Sequence, residues 1–169
     1  MIEVLSNPAL ATWAKAAGFG LHQGEDGFAL ADGGGEVRYT VERASDGFIL
    51  LSSDRGDDPS MIMWAANMAY IEVMLVQSIG PDVRSETGLS RVVLPFRWEE
   101  IAPGYQAIVY DDGWSGLSRQ GAELPLRIKD GELIHPAVRY SHLLEYRLDD
   151  LLRSFSSPSG EPALSQFIR

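Results

Sequence analysis

The sequence predicts an α+β fold: two antiparallel β-meanders, which we expect to form two lobes, with one long buried helix and short flanking helices. Short strand-like segments separated by glycine-rich turns occur both before and after a long apolar stretch. Runs of strands interrupted by helices favour α+β over a parallel α/β sheet. The length of 169 residues fits one domain, 1–169.

The chain is expected to begin with a helix. Asn7 can cap it, Pro8 suits its first turn, and Gly18 can end it. Apolar residues at positions 10, 13, 14 and 17 share one face of such a helix.

Four short strands follow, predicted at 20–22, 28–31, 36–42 and 48–52. Turn-rich segments at 24–27, 32–35 and 45–47 connect them, and connections this tight indicate an antiparallel meander. Val37, Tyr39 and Val41 alternate with polar residues, which is typical of a half-buried strand.

The long helix is predicted at 61–78, after a polar loop at 53–59, with Ser60 as its cap. Its polar residues do not form one stripe, so the helix should be buried on most sides. Glu72, near its middle, argues against a membrane span because a charge there costs about 3 kcal/mol or more.

The second half of the chain predicts another meander. After an irregular segment at 80–98 and a helical turn at 98–101, strands are expected at 105–110, 114–118, 124–129 and 132–134. A short helix within 138–146 and a helix at 148–155 follow, and the remaining tail is expected to be loosely held.

Charge and cysteine content restrict the compartment and the partners. The chain carries 24 acidic and 14 basic residues, a net charge of −10, and it has no cysteine. Residues 1–112 hold 17 of the acids and 7 of the bases, whereas 113–169 hold seven of each. Such a chain disfavours nucleic acid and attracts basic partners. The N-terminus has an acid, Glu3, where a signal peptide needs a base, and no sustained apolar region follows, so a cytoplasmic location is expected.

No catalytic, metal or cofactor motif emerges. His22, His135 and His142 have no metal-ligand spacing, and the segment 113–116 is one residue short of a serine-nucleophile elbow. The glycine run at 33–35 lacks the lysine and hydroxyl of a phosphate loop. We therefore expect no enzyme, although a small enzyme with a dispersed site around one of the histidines stays open.

Several stretches of the sequence resemble those of a known family, and they occur in the same order along the chain. They include residues 35–39, 52–55, 82–85, 88–89 and 103–105, with a weaker match at 148–151. The sequence resembles the Immunity protein 61 (TNT antitoxin) family, an actinobacterial group. The resemblance covers most of the chain.

This resemblance implies an immunity protein, or antitoxin. Such a protein would bind the catalytic domain of a cognate toxin and block its NAD-glycohydrolase active site. The alternative is a generic acidic interaction domain that has no toxin partner. Neither hypothesis requires a cofactor, a nucleic acid or a membrane.

Two acidic loops are the candidate partner-binding sites. The first contains Asp54, Arg55, Asp57 and Asp58; the second contains Asp111, Asp112 and Trp114. Desolvated arginine and tryptophan side chains are frequent interface hot spots, and nearby acids would steer a basic partner.

Overall fold

The computed structural model describes residues 5–169; residues 1–4, in which the sequence predicts no signal peptide, lie outside them. The helices are α1 (Pro8–Ala14), α2 (Met68–Glu86), α3 (Pro136–Ser141) and α4 (Leu148–Ser156). Short 3-10 turns lie at Lys15–Ala17, Trp98–Glu100 and Ser165–Phe167. The strands are β1 (Gly20–Gln23), β2 (Gly27–Ala31), β3 (Val37–Ala44), β4 (Gly47–Asp54), β5 (Ser60–Ala65), β6 (Tyr105–Val109), β7 (Trp114–Arg119), β8 (Ala122–Glu123) and β9 (Leu126–Lys129).

The predicted α+β class is confirmed. The strands form one antiparallel sheet in the order β1-β2-β3-β4-β5-β9-β7-β6, and β8 pairs with β7 outside this path. Both predicted meanders are present, and they are joined edge to edge because β5 pairs with β9. The two groups of strands therefore share one sheet instead of forming separate sheets.

The prediction of a helix at 61–78 with Ser60 as its cap is wrong at its start and its end. Residues 60–65 form β5, which pairs on one side with β4 and on the other with β9. A strand that lies between two neighbouring strands can have the same apolar composition as a buried helix, so composition did not separate them. The helix is capped instead by Asn67, whose Oδ1 accepts a hydrogen bond from the Tyr70 amide at 3.3 Å.

Helix α2 continues through a segment that the sequence predicted to be irregular, and it ends at Glu86 with Pro81 inside it. Burial explains this continuation, since Val83 and Arg84 on its last turns are both almost fully covered. Gly80 permits the close approach of α4, because a Cβ atom at this position would lie 2.4 Å from Cε1 of Phe155. The predicted long buried helix is thus confirmed at shifted bounds.

The first and last helices agree with their predictions. Asn7 caps α1, accepting a hydrogen bond from the Ala9 amide at 2.9 Å, and Gly18 adopts a left-handed conformation after it. The start of α1 is also tied to α2, since the buried Glu72 accepts hydrogen bonds from Ser6 Oγ at 2.5 Å and from the Asn7 amide at 3.0 Å.

Two predictions in the second half are wrong. Residues 132–134 form a loop instead of a strand. The tail is packed instead of loose: Leu164 is buried, and the Arg169 amide donates a hydrogen bond to the Arg91 carbonyl at 2.9 Å. An isolated bridge between Val92 and Ile168 adds to this attachment. Long-range backbone pairing of this kind leaves no local sequence signal.

The helices form one layer on one side of the sheet. Helix α2 packs on β4 and β5, α3 packs on β6, β7 and β9, and both α1 and α4 contact α2. The opposite face of the sheet carries side chains that stay partly or fully exposed, among them Thr40, Ile49, Trp64 and Arg127. None of the helices in residues 5–169 is long and apolar enough to cross a membrane.

Arg84 generates the first stability prediction. Its side chain is buried, and its guanidinium donates to the carbonyls of Ser154, Phe155 and Ser157 at 3.1, 3.2 and 2.8 Å. Arg84→Met leaves these acceptors unpaired, so we expect the free energy of unfolding to fall by about 3 kcal/mol in urea titrations. Arg153→Met, the same exchange at an exposed position of α4, should cost about 0.5 kcal/mol or less.

Gly80 generates a second prediction, in which packing opposes helix propensity. Replacing glycine by alanine inside a helix normally stabilises it by about 1 kcal/mol. Here the new methyl group would overlap the Phe155 ring, so Gly80→Ala should lower the free energy of unfolding by about 1–3 kcal/mol. Ser85→Ala, at an exposed position of the same helix, is the control. A Gly80→Ala variant more stable than the parent would contradict this packing argument.

Candidate partner-binding surface

The two predicted acidic loops lie at the same end of the sheet. Strand β4 ends at Asp54, and β9 and β6 also end on this side because each strand is antiparallel to its neighbour. We call this region the loop end, defined as residues 32–36, 54–61, 109–114 and 129–135. All seven predicted partner-binding residues belong to it.

The charged side chains of the first loop are exposed to solvent. Asp54, Arg55, Asp57 and Asp58 are all exposed. Arg55 has a positive φ of 49°, and its Nε lies 3.9 Å from Asp54 Oδ1, with side chains 81% and 68% exposed. A long and solvated ion pair of this kind contributes little, so both groups remain available to a partner. The Arg55 amide bonds to the Glu36 carbonyl, which joins this loop to residues 32–36.

The second loop is held more firmly. Asp112 Oδ1 accepts a hydrogen bond from the Trp114 amide at 3.3 Å, and its Oδ2 lies 3.7 Å from a guanidinium nitrogen of Arg127. The Trp114 ring is half-buried, and the ammonium of Lys129 lies 5.3 Å from its centroid. Gly113 completes the predicted hairpin turn with a φ of 80°. Asp111 is exposed at the tip.

The structure adds apolar residues that the sequence did not reveal. Among residues 5–169, five large hydrophobic side chains are exposed, and four belong to the loop end: Met61, Val109, Leu133 and Ile134. Exposed apolar side chains rimmed by charged ones are a mark of protein-binding sites. Leu133, 84% exposed, lies in the segment predicted as a strand, where no hydrophobic pattern distinguished it.

A histidine–aspartate pair closes the loop that carries Leu133 and Ile134. His135 Nδ1 lies 2.9 Å from Asp130 Oδ1, and the imidazole stacks on Trp98 with ring centroids 4.1 Å apart. A histidine beside a carboxylate is the type of pair that a dispersed enzyme site would use. In this structure, the contacts of His135 with Asp130 and Trp98 hold the loop in place. Across residues 5–169, no group of three or more histidine, aspartate or glutamate side chains could hold a metal ion.

Negative charge also accumulates behind the loop end, on the last turns of α2. Burial, and then the neighbouring Glu86 and Asp32, raise the pKa of the Asp82 carboxyl above its ordinary value. Burial, together with the nearby Asp82, likewise raises the pKa of Tyr39. Burial is the larger cause of both pKa shifts, and repulsion from the neighbouring carboxylates adds to it.

Comparison with known proteins identifies the family. The family model described as Immunity protein 61 matches residues 13–163. The chain belongs to this family. The resemblance predicted from the sequence is therefore confirmed, and the chain is an immunity protein by family.

Individual relatives agree with this assignment. The chain is 29% identical over 163 residues to the immunity factor for TNT of Mycobacterium tuberculosis (strain ATCC 25618 / H37Rv), an alignment that covers 90% of this chain and 89% of that protein. The homolog from Mycobacterium bovis (strain BCG / Pasteur 1173P2) matches to the same extent. A solved structure, Rv3902c from M. tuberculosis, superposes with a TM-score of 0.81 at 27% identity, covering 96% of this chain and 95% of that one.

The charge cluster of this immunity protein generates a pH prediction. The folded-state pKa of Asp82 is raised, so the folded chain binds that proton more tightly than the unfolded chain. Protonation of Asp82 therefore stabilises the fold as the pH falls from the raised pKa towards the ordinary carboxyl pKa. At pH 7, where Asp82 is ionised, this stabilisation is absent. Asp82→Asn should raise the urea midpoint at pH 7. It should also reduce the difference in urea midpoint between pH 7 and mildly acidic conditions. An unchanged difference in urea midpoint would contradict the assignment of the pH effect to Asp82.

Proposed function

We propose that this immunity protein binds the catalytic domain of a cognate toxin in the cytoplasm and blocks its NAD-glycohydrolase active site, without catalysing a reaction itself. The family membership and the name of the relative, an immunity factor for TNT, support a toxin partner. The sequence resemblance supplies the type of enzyme that is blocked.

The composition of the loop end carries this proposal. It combines exposed apolar side chains, such as Leu133 and Val109, with the carboxylates of the two predicted loops. Apolar contacts would supply affinity, and the surrounding acids would accelerate encounter with a basic surface. Because strands of one sheet hold the loops, these groups converge on one area before a partner arrives.

The chemistry of NAD explains why acidic loops suit the inhibition of an NAD-consuming enzyme. The dinucleotide carries two negatively charged phosphates, so a cleft that binds it needs positive charge or N–H donors. Carboxylates such as Asp57 and Asp58 can pair with the same groups. Occupying the cleft in this way would exclude the substrate by competition for its anion-binding contacts.

The test is inhibition of NAD consumption. Purified chain is mixed with a candidate cognate NAD-glycohydrolase toxin domain, and NAD loss is followed over a range of inhibitor concentrations. The parent chain should abolish turnover near stoichiometric ratio. Asp57→Lys/Asp58→Lys should raise the half-inhibitory concentration about tenfold or more, through loss of steering and of contacts.

A matched control separates the loop end from net charge alone. Glu25→Lys/Asp26→Lys makes the same change of charge in an exposed turn between β1 and β2, at the opposite end of the sheet. This variant should inhibit as the parent does. Equal losses in both variants would assign the effect to overall charge. If toxin turnover stays unchanged with excess parent chain, the proposed function is wrong.

A further inference from the structure

A shallow pocket of about 530 Å³ lies on the sheet face opposite the helices, and it extends from the loop end to Asp46 in the turn between β3 and β4. Trp64 and Trp114 border it, Ile49 and Met61 line its apolar part, and Arg127, Asp46 and Asp112 supply its charges. We infer that this pocket receives a lysine or arginine side chain of the toxin. The inference rests on the proposed function and names a specific contact within it.

Strand register places the two tryptophans on the same face. Trp64 lies opposite Arg127 in the β5–β9 pair, and Trp114 lies opposite Lys129 in the β7–β9 pair. Directly paired residues share a face, as do residues two apart on one strand. Strand β9 runs between them, and its Arg127 and Lys129 share their face. Because the Arg127 guanidinium contacts Tyr110 and Asp112, the part of the pocket that can receive a further side chain is its Trp64 side, next to Ile49 and Asp46.

Arg127 in the pocket and Lys129 beside it each have contacts within the chain. The Arg127 guanidinium lies 4.1 Å from the Tyr110 ring centroid and 3.7 Å from Asp112, and Lys129 lies over the Trp114 ring. Asp46 differs: it accepts a hydrogen bond from the Trp64 indole nitrogen at 3.2 Å, and no cation within residues 5–169 forms an ion pair with it. The pocket thus holds one carboxylate without a counter-charge, bonded to an aromatic ring.

An aromatic ring beside an unpaired carboxylate favours a cation. Indole attracts ammonium and guanidinium groups most strongly of the aromatic side chains, and a carboxylate adds a charge-assisted hydrogen bond. A phosphate or carboxylate entering the pocket would meet Asp46 and Asp112 instead. The net charge of −10 points the same way, because it selects basic partner surfaces.

Continuity with the loop end identifies the toxin as the source of this side chain. Met61, Asp112 and Trp114 belong to both the pocket and the loop end. A toxin domain seated on the acidic loops would therefore extend over the pocket. Its inserted lysine or arginine would be desolvated against Trp64 and Asp46, which is the setting in which interface hot spots arise.

Three variants test the contact by calorimetric titration against the cognate toxin domain. Asp46→Asn keeps an oxygen for the Trp64 indole and removes the charge, so affinity should fall about tenfold. Trp64→Leu should cause a similar loss, whereas Trp64→Phe, which retains a ring, should lose less. Asp26→Asn is the control and should bind as the parent does. Thermal melts establish that each variant is folded.

A photo-crosslinking residue at position 61 then identifies the toxin segment. We expect a segment containing a lysine or arginine, and reversing that base to glutamate should be rescued by Asp46→Lys. A crosslinked segment without a lysine or arginine, or full affinity in both Asp46→Asn and Trp64→Leu, would overturn the inference. The proposed function would still stand in that case if the parent chain inhibits the toxin. Binding of NAD to the pocket without toxin would also overturn the inference. If the parent binds no toxin, both the inference and the proposed function fail.

Discussion

The burial of Arg84 is the constraint on which the helical layer depends. The guanidinium has no carboxylate partner within residues 5–169, and it donates hydrogen bonds instead to backbone carbonyls at the end of α4 and to the carbonyl of Ser90. The carbonyls of Ser154, Phe155 and Ser157 lie at the negative end of the α4 dipole, which makes them suitable acceptors for a cation. Burial still lowers the pKa of Arg84. One side chain of α2 therefore fixes the end of α4 and the start of the segment that pairs with the tail.

Because the helical layer supplies the main core, the rest of the molecule can carry side chains suited to binding. With one face of the sheet covered by α2 and its neighbours, the opposite face and the connecting loops do not have to supply the main core. They can therefore retain half-buried tryptophan side chains, and exposed methionine and acidic side chains, that would be costly to leave uncovered in larger numbers. The stability of the layer and the composition of the binding surface are in this sense linked.

Local signals predicted the turns and the strands that they connect, whereas non-local pairing decided the remainder. The hairpin at 111–113 and the cap at Asn7 follow from turn and capping chemistry within a few residues. The division of 60–86 into β5 and α2 depends on β9, which lies more than 60 residues farther along the chain. The attachment of the tail and the exposure of Leu133 likewise depend on distant contacts. The acidic loop residues could be proposed from sequence, but the apolar residues among them could not.

The antiparallel pairing of β5 with β9 is also what assembles the candidate site. Because every neighbouring pair in the sheet is antiparallel, the loop after β4 and the hairpin before β7 must lie at the same end. The same pairing inserts β9, with Arg127 and Lys129, between β5 and β7. The acidic first 112 residues and the neutral remainder are therefore interleaved in space, not divided into two halves. The sheet face thus carries cations at its centre and carboxylates at its rim, an arrangement that a uniformly basic surface would match only at the rim. Selection among basic partners would then depend on how well each one fits the centre.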